Sequence, residues 1–303
     1  MGILITGAQG FLGQHISKVW ESEGQEVISL GTSSTNAIVC DLSNEVPNIP
    51  NTVEYVVHAA GKAHMVPKNK TEEKAFFDIN LQGTLNLLKA LGNLTIKPKG
   101  FLFISTVAVY GTETGDRIPE TAPLLAEDPY GKSKKQAEDS IVQWGKEEGI
   151  PICIIRPPLI IGKNAPGNLK KMIQGIQKNR YANIAGGKAR RSMVLAEDIA
   201  RFSPTLVRSE GIYHLTDGKD PSFSELASLI GNNFSKKIRN IPYSLARLLA
   251  LTGDAITGIS GKEMPFSSNK LLKMTSNLTY DSTKARALGW NPREILTHRE
   301  VWL

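Results

Sequence analysis

Cysteine is nearly absent: Cys40 and Cys153 are the two in 303 residues, far apart and each in an apolar run. That excludes a disulfide framework and predicts two small buried side chains in a reducing, cytoplasmic setting. The five histidines lack the paired spacing of a metal centre, so no metal is expected. Long apolar runs are missing too. The best candidate, "YSLARLLALTGDAITGI" (243–259), is interrupted by Arg247 and Asp254 and reads as an amphipathic helix, not a membrane span. The chain runs straight into "GILITG" with no basic leader, so no export signal is expected. Charge of one sign does not dominate: 36 Lys and Arg stand against 29 Asp and Glu, a net +7. Short basic clusters occur at 168–171 and at Lys188–Arg191, without interleaved aromatics. This balance favours small anionic ligands and argues against nucleic acid.

What is present is an alternation. Apolar strand-like runs at 3–6, 26–30, 54–60, 100–105 and 151–156 are separated by helical patterns at 11–23, 72–92 and 127–148. Continuously apolar strands between helices predict an α/β fold, a Rossmann-type doubly wound parallel sheet covered on both faces. The pattern changes after Pro157-Pro158. Residues 1–160 are read as the dinucleotide-binding domain, and 161–303 as a smaller, mixed, substrate-binding region. The two are expected to interleave, with "SMVLAEDIA" and "GIYHLTDG" (about 190–216) returning to complete the sheet.

"LITGAQGFLG" puts Gly7, Gly10 and Gly13 after the first strand and at the mouth of a helix. The first glycine allows the tight turn, the second a close backbone approach to a pyrophosphate, and the third close helix packing. Free N–H groups at the helix start, beside Phe11 and Leu12, suit phosphates. An acid is expected at the end of the second strand to hold the adenosine ribose, but "VISLGTSS" has Gly31 there, followed by Thr32 and Ser33. NAD and NADP therefore both stay open as cofactor.

"DPYGKSKKQAE" carries Tyr130 and Lys134 one helical turn apart, on one face. Bringing a phenol from its ordinary pKa near 10 to neutrality takes about 4 kcal/mol. A lysine ammonium and an oxidised nicotinamide can supply it. Tyr130 would then exchange a proton with a sugar or alcohol hydroxyl during hydride transfer. "FISTVAVYG" adds Ser105 and Thr106, whose hydroxyls could bond the same substrate oxygen. His58, ending a strand, reads as a packed structural histidine, and His64 as a loop residue within reach of substrate.

Taken with "CDLSN", "VVHAAGKAH", "NLQGTLNLL", "IIRPPLIIG", "RRSMVLAEDIA", "IYHLTDG" and "YDSTKARALGW", these motifs run in one order along nearly the whole chain. The chain resembles the extended short-chain dehydrogenases/reductases, in their nucleotide-sugar epimerase/dehydratase group. It is most similar there to bacterial surface-polysaccharide UDP- or dTDP-sugar 4-ketoreductases and UDP-hexose 4-epimerases. The resemblance implies a catalytic trio of Thr106, Tyr130 and Lys134. It implies cofactor contacts at Asp41 and Leu42 (adenine), at Ala59, Ala60 and Gly61, and at Ser105 and Pro157, with Asn80 ordering the active-site helix. It implies substrate contacts at Asn168 and at Arg191, whose guanidinium would fork onto a pyrophosphate. It also implies a homodimer through helices 72–92 and 127–148.

Within that group, dehydratases place an Asp-Glu pair after the threonine. Val107 and Ala108 stand here and cannot transfer protons, which argues against dehydration. The missing ribose acid, and a gap before "CDLSN" too short for a helix, lean toward a 4-ketoreductase using NADPH or NADH. A 4-epimerase with tightly held NAD is the alternative. A non-catalytic NADPH-binding sensor or scaffold fits less well, because the trio is intact.

Overall fold

The computed structural model describes residues 2–63, 67–261, 264 and 266–303; His64 lies outside them. In chain order the strands are β1 (Gly2–Thr6), β2 (Glu26–Gly31), β3 (Ile38–Val39), β4 (Val53–His58), β5 (Gly100–Ile104), β6 (Gly115–Ile118), β7 (Ile152–Ile155), β8 (Leu159–Ile161), β9 (Ala182–Ile184), β10 (Met193–Leu195), β11 (Gly211–Tyr213), β12 (Arg239–Ile241) and β13 (Leu278–Tyr280). The helices are α1 (Phe11–Ser22), α2 (Lys70–Phe77), α3 (Gly83–Gly92), α4 (Pro129–Glu148), α5 (Asn168–Gln177), α6 (Ala196–Leu206), α7 (Phe223–Asn233), α8 (Tyr243–Ser260), α9 (Ser268–Thr275) and α10 (Thr283–Ala287).

Seven strands form one sheet in the order β11-β7-β5-β4-β1-β2-β3, every pair parallel. Strand alternation explains why the central runs are apolar at every position. Ile3 and Ile5 of β1 and Leu102 of β5 point to one face, against Leu12, Ile16 and Trp20 of α1 and Ile199 of α6. Leu4, Phe101 and Phe103 point to the other, against Leu87 and Leu91 of α3 and Ile141 of α4. Cys40 and Cys153 are free and buried, as expected. The strand order reverses at β1, which has β2 on one side and β4 on the other. Crevices outside the carboxyl ends of strands at such a switch point are where this architecture binds ligands.

Three details differ from the sequence reading. The helical run 72–92 is interrupted by a π-helical turn, Asp78–Gln82, which carries Asn80 between α2 and α3. β11 joins the large sheet beside β7, but β10 does not: it pairs with β8 in a separate two-stranded sheet. Both are short apolar runs, so pattern alone cannot say which sheet each enters. The interleaving also has a partner the sequence did not suggest, since β6 pairs with β13 across more than half the chain. Residues from α5, α7 and the C-terminus (Met172, Leu226, Ile295 and Trp302) build a separate core beyond the sheet.

Candidate active site

Two cavities open at the switch point. One, of about 920 Å³, is lined by the glycine loop, Ser105, Thr106, Tyr130, Lys134 and Pro157. The other, of about 240 Å³, is lined by Gly31, Thr32, Ser33, Asn36, Asp41, Leu42 and Ala60. Gly7 and Gly61 belong to both walls, so the cavities are two ends of one trough.

The glycines are needed where they stand. Gly7 has φ +68°, and a Cβ there would sit 2.7 Å from the Ala60 nitrogen. A Cβ on Gly13 would lie 2.1 Å from the Gly7 carbonyl oxygen. Gly10 caps α1 without a side-chain hydrogen bond, and the first turn holds no acid, which leaves the N–H groups to a ligand. Phe11, Leu12 and Ala59 complete this wall of the larger cavity.

Beneath the trough runs a buried relay. The Ala60 N–H donates to Thr6 Oγ1 (3.1 Å), which lies 2.6 Å from His58 Nδ1. His58 Nε2 is 2.9 Å from Thr84 Oγ1, whose own proton goes to the Asn80 carbonyl (2.6 Å). Thr84 must therefore accept from Nε2–H, leaving Nδ1 to accept from Thr6. His58 is thus neutral; burial, with Lys134 nearby, pushes its pKa down to about 3. It is a structural histidine, as its sequence context suggested. The Asn80 side chain accepts from the Lys62 N–H (2.7 Å) and donates to Ser133 Oγ (2.9 Å) and to the Lys62 carbonyl (3.1 Å). The π-turn thus ties the 59–63 loop to α4, a location that π-bulges favour.

Helix α4 starts at the trough because Asp128 accepts from the Gly131 N–H (3.0 Å) and Pro129 occupies the first turn. Tyr130 lies in that turn, and Lys134 one turn on. The Lys134 ammonium donates to the Ile104 carbonyl (2.8 Å), sits 4.3 Å from the centre of the Phe103 ring, and lies close under Gly61. Burial pushes its pKa down to about 7, against the raising effect of Glu138. The Tyr130 phenol is pushed up by burial, and the Thr106 hydroxyl opposes the shift. Burial therefore works against the phenolate in the protein alone.

Ser105 and Thr106 divide their work. Ser105 donates to the Glu138 carboxylate. Glu138 and Arg156 form a buried ion pair (2.6 Å), each only 3% exposed. Arg156 also donates to the Tyr110 hydroxyl (2.9 Å), which meets His214 Nε2 at 2.7 Å. The Ser105 proton is thus turned away from the cavity, and Thr106 is left beside Tyr130. Glu138 extends the Tyr130–Lys134 spacing by one more turn, the sole sequence hint to this pair. Two of the three acids in the larger cavity's wall are engaged elsewhere: Glu113 pairs with Lys273 (2.6 Å), and Asp128 caps α4, while Glu127 is exposed.

At the narrow end, Asn36 packs against Gly31, where an acid was expected. A Cβ on Gly31 would lie 3.1 Å from Asn36 Nδ2. Asn36 is 8% exposed; its Nδ2 donates to the Ser33 carbonyl (2.9 Å), while Oδ1 is buried with no partner. Sequence reasoning missed this residue, because a loop asparagine five positions on carries no motif. The Asp41 carboxylate accepts from the Ser43 N–H (3.0 Å), the Ser43 hydroxyl (2.7 Å) and Asn44 (2.8 Å), which hold its pKa low. Asp41 faces the narrow cavity as a fixed turn with its oxygens already occupied. Leu42 is held by Asn86, which donates to its carbonyl (2.8 Å).

The two expected substrate residues lie elsewhere. Arg191 is not in the cavity wall: its guanidinium donates to the Ser276 carbonyl (2.5 Å), to that of Lys273 and to that of Arg190 (2.9 Å). It closes the C-terminal end of α9, where carbonyls lack helical partners. Asn168 is the exposed first residue of α5, two positions beyond Pro166 of the cavity wall. Among the described residues no His/Cys/Asp/Glu cluster could hold a metal, and no helix is long and apolar enough to cross a membrane.

The chain is 28% identical over 223 residues to N-acetyl-alpha-D-glucosaminyl-diphospho-ditrans,octacis-undecaprenol 4-epimerase of Escherichia coli O157:H7, covering 71% of this chain but 66% of that protein. It is 28% identical over 250 residues to GDP-6-deoxy-D-mannose reductase of Pseudomonas aeruginosa, covering 76% and 79%. The fold matches the crystal structure of UDP-N-acetylglucosamine 4-epimerase from Bacillus cereus, with TM-score 0.73, 22% identity, and 97% and 94% of the two chains covered. A sequence model of the NAD dependent epimerase/dehydratase family matches residues 3–214, which hold the glycine loop, the trio and both cavities' main walls, and the chain belongs to that enzyme family.

Proposed function

We propose that the protein is a 4-epimerase of a hexose carried on a diphosphate, with NAD held in the trough. The observation that supports this reading is the shared wall. Thr106, Tyr130 and Lys134 line the wide end of a trough whose narrow end is shaped for an adenosine. The residues present fit a dinucleotide: a glycine cradle that any Cβ would fill, and an orphaned buried acceptor at the ribose end. The trough would hold NAD, which when bound would supply a reversible hydride acceptor for C4 of the sugar. Tyr130 takes the proton from the C4 hydroxyl, and Thr106 holds the same oxygen. Lys134 places a positive charge below the cofactor loop and against the strand end.

Asn36 favours NAD over NADP, and with it the epimerase over an NADPH-dependent reductase. A lone buried acceptor suits the 2′-hydroxyl of NAD, which can donate to it, and does not suit a 2′-phosphate, which cannot. The named relatives and structural neighbour include two 4-epimerases, one acting on a sugar attached through diphosphate to undecaprenol. The carrier in this protein is therefore a nucleotide or a polyprenol.

A 4-ketoreductase is the second reading, supported by the absence of an acid at Gly31 and by likeness to a deoxyhexose reductase. Denaturing the purified protein and identifying the released nucleotide separates the two. The epimerase reading expects NAD, and interconversion of C4 epimers of UDP-GlcNAc or UDP-glucose without net cofactor consumption. Stoichiometric NADPH oxidation by a 4-keto-6-deoxy nucleotide sugar, with no epimer formed, would overturn it. Dimerisation through α2, α3 and α4 is part of the proposal, and a monomer by light scattering would remove it.

A further inference from the structure

Helix α8 is apolar on the side that faces away from the protein. Its inner face is made of small residues: Ala246, Ala250 and Gly253 are buried, and a Cβ on Gly253 would lie 2.1 Å from the Phe266 carbonyl oxygen. This lets the helix pack closely on Ile184 and Leu271. Its outer face carries Leu245, Leu248, Leu249, Leu251 and Ile259, all exposed, with Leu248 at 60% and Ile259 at 89%; Leu272 of α9 is exposed as well. Single exposed leucines are ordinary, but a row of them on one helix marks a contact surface.

We propose that α8 and α9 form a docking face that lies on an anionic lipid bilayer. Charge selects this occupant. Residues 236–274 contain seven Lys or Arg (Lys236, Lys237, Arg239, Arg247, Lys262, Lys270, Lys273) and two acids (Asp254, Glu263), so this stretch carries 7 − 2 = +5 of the net +7. Among the described residues no hydrogen bond or ion pair engages the side chains of Lys236, Lys237, Arg239 or Arg247. An exposed apolar helix face with unpaired basic residues on it and just before it in the chain is the pattern of a helix that settles at a headgroup boundary. A second copy of this chain suits the face less well, because a two-fold interface would set these like charges against one another.

The face also connects to the site. Helix α9 packs on α8, its end is held by Arg191, and its Lys273 pairs with Glu113 of the larger cavity's wall. Docking would therefore bring that wall toward the headgroups. This inference does not depend on which C4 reaction the trough performs.

Flotation with vesicles of phosphatidylcholine alone, or with 30% phosphatidylglycerol added, tests it on the full-length protein. The expected result is recovery with the anionic vesicles, little with the neutral ones, and loss in 0.5 M salt. Leu248→Ser with Ile259→Ser, and separately Lys237→Gln with Arg239→Gln, should each lower vesicle partitioning at least tenfold. Unchanged circular dichroism and melting would show that the variants fold. Failure of the wild type to float with anionic vesicles would overturn the proposal. So would a wild-type oligomer that the Leu248/Ile259 variant converts to monomer without any vesicle binding, since the face would then be a protein interface.

Discussion

At the narrow end of the trough, recognition is made by a short loop. Gly31 through Asn36 bridge two strands with no helix between them, Ser33 bonds Thr35 (2.8 Å), and Asn36 supplies a buried acceptor without a partner. At the wide end, Lys134 and the buried residues behind the site are anchored by other segments of the chain. Lys134 is anchored on β5, Ser105 on Glu138, Glu138 on Arg156, and Asn80 on both α4 and the 59–63 loop. One end selects the ligand with parts that substitute easily. The other holds reacting groups in a network in which each member leaves a buried partner exposed if removed.

That contrast can be broken by substitution. The largest effect is expected at Tyr130→Phe, which removes the exchangeable proton. Turnover should fall about 10²- to 10⁴-fold while cofactor affinity, measured by fluorescence titration, stays unchanged. An active Tyr130→Phe enzyme would remove the reaction end as described. Glu138→Ala comes next, because it strands the Arg156 guanidinium in the core. Urea denaturation should show a loss of about 3–5 kcal/mol, whereas a loss under 1 kcal/mol would mean the network is not load-carrying. Asn36→Ala tests the soft end. NAD should bind about tenfold more weakly, matching one hydrogen bond of about 1.4 kcal/mol, with kcat at saturating cofactor and the melting temperature retained. Equal loss of NAD and NADP binding would deny Asn36 its selective part.

A pH slope is expected as well. The folded pKa of Lys134, about 7, lies below its ordinary value of 10.5, so between those limits the unfolded chain binds more protons than the folded one. Stability from this group therefore rises with pH from about 7 to 10.5 and is flat below that window. Comparing melting temperatures of the ligand-free wild type and Lys134→Met across that range should show the slope in the wild type and its absence in the variant.

Much of the reaction end was legible in the sequence because its parts are local. A glycine loop after a strand, and a tyrosine and lysine one turn apart, are short-range patterns with direct structural meaning. Glu138 continues that spacing but reads as one more surface acid until Arg156 is known to lie beside it. Arg191 is a different case. An arginine before an apolar strand can grip a phosphate or close a helix, and only the position of α9 decides between them. Asn36 was hidden for a related reason: its value lies in an unsatisfied oxygen, which depends on what the folded loop leaves unbonded.

By itself the sequence determined the parallel sheet, the glycine cradle and the one-turn spacing of Tyr130 and Lys134, because each follows from residue order within one or two turns or strands. The tertiary structure decided which hydroxyl faces the cavity, which arginine is occupied and which asparagine replaces a missing acid. It also decided that the amphipathic helix read at 243–259 turns its leucines outward. These are outcomes of packing between segments up to hundreds of residues apart, and burial and hydrogen-bond completion settle them only when those segments meet.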